Sequence, residues 1–169
     1  MKVAAKELRV KNRANNRGGA IYSNGGKLVL NNTVIANNAT VSVDSTAADI
    51  GGGLAAVNCN TYIMNSTIVG NISSSTAFGG GGINIWTGYV YAVNNIITDN
   101  YSFNNGVLVE SDISGTLNNN RKNVFLYNNI YKVISTDSVT DDSSNNYQLE
   151  NLSSIEKIFA SYHISGNLL

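Results

Sequence analysis

Apolar residues in this chain alternate with polar ones over short stretches and never settle into a helical period. Leu28 and Leu30, Tyr62 and Met64, Tyr91 and Val93, and Phe125 and Tyr127 each stand two apart. Period two with β-branched and aromatic enrichment predicts strands. Val34, Ile68, Ile97 and Tyr131 add an apolar position on a following strand, three residues past an Asn. Ile21, Leu54, Ile83 and Leu117 supply another on the strand before. Each unit thus offers three very short strands with bends between them. No segment carries a helical stripe across three turns, so a layered α/β fold has no crossover helices to build it.

The pattern repeats. Gly18-Gly19-Ala20-Ile21 recurs as Gly51-Gly52-Gly53-Leu54 and as Gly80-Gly81-Gly82-Ile83. A second string follows each: Asn31 to Asn37, Asn65 to Asn71, and Asn94 to Asn100, with Thr33, Thr67 and Ile96 at the third position. The aliphatic residue lies 10, 11 and 11 positions before the first Asn of the second string. A worn fourth copy reads Ser114-Gly115-Thr116-Leu117, then Asn128-Asn129-Ile130-Tyr131. From the closing Asn to the next Gly string the gap is 6, 14, 9 or 14 residues. A constant core with variable loops is the signature of stacked repeats whose insertions collect on one face.

Three short strands per turn, each with one apolar row, predict a parallel β-solenoid, an all-β fold. Strands of successive turns then pair at about 4.8 Å and like residues stack. Asn suits the bends because it tolerates the left-handed backbone and its amide both donates and accepts. Asn31, Asn65, Asn94 and Asn128 are therefore an expected ladder, and Asn37, Asn71 and Asn100 a second. The Gly strings mark places where a Cβ would clash or φ is positive. The absence of Pro agrees, because Pro removes a ladder hydrogen bond from a central strand.

Composition narrows the functional classes. The 169 residues include 28 Asn, 16 Gly and only 13% charged residues, with 11 basic against 11 acidic. That balance lacks the clustered positive charge a nucleic-acid partner needs. No apolar run approaches the ~20 residues of a membrane helix. One Cys and one His exclude a disulfide framework and an ordinary zinc site within the chain, so no metal and no cofactor are expected. The start, MKVAAKELRV, lacks the apolar core of a signal peptide.

The pattern Asn-x-Ala-x-x-x-Gly-Gly-Ala-Ile-Tyr over Asn12–Tyr22, followed by Asn-x-Thr-aliphatic-x-x-Asn, resembles the GGAI-type repeats of β-helix surface proteins. These include polymorphic outer-membrane proteins, autotransporter passengers and adhesin-like proteins, and more loosely the pectate-lyase-like superfamily. The resemblance covers about residues 10–134. It implies a single-stranded, right-handed parallel β-helix of about five coils, one domain over 1–169 with an irregular C-terminal coil or cap over 135–169. The family's usual Phe in the Asn-x-Thr-Phe string is Val34, Ile68 or Ile97 here, which keeps the fold and thins the core. The fourth unit has Ile134 where the closing Asn would fall.

Enzymes of the pectinase kind, as that resemblance implies, use clustered Asp with Ca²⁺ or paired carboxylates beside a basic group. Here Asp44, Asp49, Asp99, Glu110, Asp112, Asp137, Asp141 and Asp142 do not recur at repeat-related positions, and Arg121-Lys122 is the nearest basic pair. Solvated loop charge is the expected role of these acids. Trp86 and Tyr89 flank Thr87-Gly88 and are the candidate carbohydrate contact, with Tyr22, Tyr62 and Tyr91 as neighbours; packing between coils is the competing role. His163 has no defensible partner. Cys59 is expected to be a shielded thiol. Gly80-Gly81-Gly82 has no following helix or Gly-Lys-Ser/Thr, so it is not a phosphate loop.

The functional expectation is a non-catalytic, secreted or cell-surface module, adhesin-like or stalk-like, meeting a glycan or a host or cell-surface protein through loops 38–50, 101–113 and 135–146. The alternative is a polysaccharide lyase, a glycoside hydrolase, or a carbohydrate-binding piece of one. The signal and anchor are expected outside this chain, which reads as a segment of a longer solenoid. Uncapped solenoid ends expose strand edges. The isolated chain is accordingly expected to associate end to end or to be poorly soluble. Light scattering that finds a clean monomer at high concentration would count against the segment reading.

Overall fold

The structure, a computed structural model, describes residues 4–5, 8–41, 50–74, 79–104, 106–116, 124–127, 129–131, 134–135, 139–141 and 147–148. The described residues form strands and turns with no helix, arranged as a β-solenoid of stacked parallel strands. Each turn contributes to three sheets. The long sheet runs through Ala4–Ala5, Lys27–Asn31, Leu54–Met64, Ile83–Val93, Ile113–Thr116 and Ile134–Ser135, joined by Ile21–Asn24, Val124–Tyr127 and Val139–Asp141. A second sheet stacks Leu8–Val10, Val34–Ala36, Thr67–Val69, Ile96–Thr98, Ile130–Tyr131 and Tyr147–Gln148. The third holds Arg13–Ala14, Ala39–Thr40, Ile72–Ser73, Tyr101–Asn104 and Val107–Glu110.

Successive turns take 33 and 29 residues, and the third takes 30 at Ile83–Trp86 and 34 at Val90–Val93. About three turns close, rather than the five expected. The first expected unit is a partial turn with one short strand from each sheet, and most of 135–169 lies outside the described residues.

The interior is aliphatic and built in columns. Ile21, Leu54, Ile83 and Ile113 stand in register on the long sheet, and Ile35, Ile68 and Ile97 on the second. Leu54, Ile83, Ile113 and the three isoleucines of the second sheet are fully buried. Burying one such side chain contributes roughly 1.5–3 kcal/mol.

Two expectations shift here. The core residue of the first unit is Ile35, at 0% exposure, and not Val34, which is 37% exposed. The fourth aliphatic position is Ile113 and not Leu117, which lies outside the described residues. Strand alternation also resolves by facing: Leu28 and Leu30 point inward with Thr61 and Ile63, then Val90 and Ala92, whereas Tyr62, Met64, Tyr91 and Val93 occupy the outer face.

Left-handed bends fall in columns. Asn32, Asn65 and Asn94 have φ of 52°, 50° and 55°, and Asn37, Gly70 and Asp99 have φ of 56°, 67° and 54°. Asn and Gly occupy this region at least cost. The Gly strings show both anticipated reasons. Gly18, Gly51 and Gly80 have positive φ, and a Cβ on each would also meet the carbonyl of Ile21, Leu54 or Ile83. Gly52 lacks the positive φ, but a Cβ there would drive into the Ile72 backbone, and one on Gly81 into Tyr101. The corner is one backbone thick, which only Gly permits.

A ladder of side chains, buried from Asn38 onward, runs beside the second bend. Asn12 Nδ2 donates to Asn38 Oδ1 (3.0 Å), Asn38 Nδ2 to Asn71 Oδ1 (2.9 Å), and Asn71 Nδ2 to Asn100 Oδ1 (2.9 Å). The same oxygens accept backbone N–H groups of the preceding turn, and Asn71 and Asn100 also donate to the carbonyls of Ile35 and Ile68. In the first unit the ladder residue is thus Asn38, while Asn37 is the exposed bend residue. The next member is Asp112, whose Oδ1 accepts both the backbone N (3.2 Å) and Nδ2 (2.9 Å) of Asn100.

A second buried series links Thr33, Ser66, Asn95 and Asn129 at the first bend. The exposed ladder is also formed: Asn94 Nδ2 donates to Asn65 Oδ1 (3.2 Å) and Asn65 Nδ2 to Asn31 Oδ1 (3.1 Å). Asn128 lies outside the described residues. Removing a buried amide strands the donors of its neighbours, each costing about 1–3 kcal/mol. Asn71→Ala is therefore expected to lose on the order of 3–5 kcal/mol, against about 1 kcal/mol or less for Asn65→Gly, which keeps the bend and loses only exposed bonds. Urea melts of the two variants check this; equal losses would show that the buried ladder carries no special share of stability.

Candidate functional site

Chemistry available to a partner lies on the outer face and in the departures from the repeat. In each turn the long sheet is kinked at a left-handed position, Gly25, Asn58 or Thr87. Thr87 Oγ1 donates to Asn58 Oδ1, tying two kinks together. Trp86 and Tyr89 therefore stand on either side of a bend within one strand, Ile83–Val93.

Tyr89 belongs to the group beyond the kink. Its ring lies 6.3 Å from that of Tyr91, which stacks on Tyr62 at 4.9 Å with planes 10° apart. Tyr62 and Tyr91 are in register on neighbouring turns, so the stack follows from strand spacing. Lys27 Nζ covers Tyr62 at 4.4 Å from its centroid. The stacked faces of Tyr62 and Tyr91 are turned to each other along the solenoid axis, so this stack is a lateral clasp between turns.

Trp86 belongs to a different group. It is half-buried against a small cluster of Ile50, Ala55 and Val57. Arg17 lies over it, with Cζ 5.5 Å from the Trp86 ring and 5.9 Å from the Tyr22 ring. Arg17 Nη1 donates to the Tyr22 hydroxyl at 3.3 Å. Ala14, Asn15, Asn16, Arg17 and Tyr22 line an open groove of about 390 Å³. Sequence spacing did not single out Arg17. Its one signal is a guanidinium immediately ahead of the Gly18-Gly19 corner, and Arg9 and Arg13 just before it blur even that.

The acidic candidates are dispersed. Asp99 is an exposed bend residue in column with Asn37 and Gly70, Glu110 is half-buried at the end of a hairpin strand, and Asp112 is buried in the ladder. Among the described residues no group of three His, Cys, Asp or Glu side chains converges. Asp44, Asp49, Asp137, Asp142, Arg121, Lys122 and His163 lie outside the described residues.

The loop expected over 101–113 is an antiparallel hairpin, Tyr101–Asn104 with Val107–Glu110, followed by the start of the next turn. Its outer strand exposes Val107 (62%), Leu108 (48%) and Val109 (44%). Residues 42–49 and most of 135–146 lie outside the described residues. In comparisons with known proteins, the chain matches no family model, no curated protein and no solved structure.

Cys59 is fully buried, with Sγ 3.3 Å from Ser23 Oγ and Thr61 Oγ1 donating to it at 3.8 Å. A thiol enclosed between turns reacts only when the solenoid opens. Labelling by a disulfide reagent is expected to run about 100-fold or more slower in native protein than in urea. Comparable rates in the two conditions would mean that the long sheet opens freely at Cys59.

Proposed function

We propose that this chain is a non-catalytic β-helix module of a secreted or cell-surface protein, of the GGAI-repeat kind, whose turns form a stalk and whose loops meet partners. The observation that carries the reading is the contrast between ladder and hairpin. Asn38, Asn71, Asn100 and Asp112 are committed to holding turn on turn. The hairpin over Tyr101–Glu110 starts on the third sheet and adds Val107–Glu110 to it as an antiparallel edge strand, which exposes a contiguous apolar stretch. Exposed apolar patches of this kind commonly mark interaction surfaces. A rigid, self-paired wall with an exposed apolar edge strand suits presentation better than turnover.

A polysaccharide-active β-helix is the second reading, favoured by the Arg17, Tyr22 and Trp86 cluster beside the strand face. Fold alone does not choose between them. Two measurements do. Antibody labelling of intact source cells is expected to succeed without permeabilisation, and acidic and neutral glycans are expected to stay uncleaved with or without Ca²⁺. Labelling only after permeabilisation, in cells that secrete none of the chain, would overturn the surface assignment. Glycan cleavage abolished by a single Asp substitution would replace the stalk with the enzyme.

A further inference from the structure

Arg17 combines three observations that the solenoid itself does not require. Its Nε is enclosed and has no hydrogen-bond partner among the described residues. Its guanidinium lies over two aromatic rings, Tyr22 and Trp86, and makes no ion pair among the described residues. It also forms one wall of the groove completed by Ala14, Asn15, Asn16 and Tyr22. A buried, unpaired N–H costs free energy until it finds an acceptor. A planar guanidinium held by aromatic rings is suited to grip an oxyanion through two parallel N–H groups. An anion entering the groove would draw the guanidinium toward it and give that N–H a partner.

The rest of the lining narrows the ligand. Asn15 and Asn16 are exposed and offer amides that both donate and accept, which matches sugar hydroxyls. Tyr22 is 45% exposed and presents an apolar ring beside the cation. The groove, about 390 Å³ and open to solvent, has room for one sugar ring against Tyr22. We propose that this groove binds a single terminal acidic sugar, its carboxylate on Arg17, its hydroxyls on Asn15 and Asn16, and its ring against Tyr22. The inference rests on the binding-module reading but not on the chain's location, so intact-cell labelling and ligand binding can fail independently.

Trp86 is the single Trp of the sequence and lies 5.5 Å from the Arg17 guanidinium, so its fluorescence reports on the site. The full chain is titrated with N-acetylneuraminic acid and with glucuronic acid, each beside its neutral methyl ester. At least one acid is expected to give a saturable change. Its ester, and the acid with Arg17→Gln protein, should bind about tenfold or more weakly. Binding should also weaken on raising salt, as a partly exposed charge pair requires. Tyr22→Ala should weaken the acid several-fold.

Should Arg17→Gln fail to fold, the acid-to-ester comparison on unaltered protein still decides. No saturable change with either acid, equal binding of acid and ester, or unaltered affinity in folded Arg17→Gln protein would overturn the proposal. So would acetate binding as tightly as the sugars, or a response confined to long acidic polymers.

Discussion

Every other feature of this molecule depends on the hydrogen bonding of each turn to the next in strict register. The parallel backbone ladders between turns set the spacing, and the buried amides extend it where the backbone bends and sheet bonding lapses. A bend in the interior of a solenoid leaves N–H groups pointing along the axis with no strand partner. Asn38, Asn71 and Asn100 solve this with one oxygen that accepts both the backbone N–H and the side-chain N–H of the turn before. Unmet, those donors would oppose much of what aliphatic burial contributes.

That arrangement has direction. An amide passes the ladder on because it donates as well as accepts. Asp112 stands where the next amide would be and takes both donors of Asn100. It arrives by a short route, through the hairpin that follows Asn100, and not after a full turn. The departure from the repeat at the hairpin and the change from amide to acid are therefore one local event, in which the chain leaves the regular path and returns to set a carboxyl group in the polar column.

The outer face obeys looser rules because water satisfies what the neighbours do not. Register alone brings Tyr62 onto Tyr91, and their stack adds lateral adhesion between turns. The kinks at Asn58 and Thr87 split that face into two environments. One is the tyrosine clasp with Lys27. The other gathers Arg17, Tyr22 and Trp86 above a small satellite core of Ile50, Ala55 and Val57. The variable loops add further character at the corners, so that a uniform interior carries a varied exterior.

Sequence by itself determined the period, the strands, the solenoid and the presence of Asn and Gly at the bends, because stacked like residues are what a repeated string must produce. It even held a clue to its own misreading. The spacing of 10, 11 and 11 becomes 11 throughout once Asn32 replaces Asn31 as the equivalent of Asn65 and Asn94, and this same shift moves the core from Val34 to Ile35 and the ladder from Asn37 to Asn38. The doubled asparagines at 31–32 and 37–38 hide that register, because either member of each pair fits the string taken alone. Alternation left inside and outside undecided for Tyr62 and Ile63, because apolar residues occupy both faces and period two is symmetric between them. Only closure of the turn broke the tie, since the interior admits Ile63 and Ala92 but has no room for stacked tyrosines. The Arg17 groove was likewise a product of tertiary structure: Arg17 and Trp86 belong to different turns, and nothing local to either residue says that the two meet.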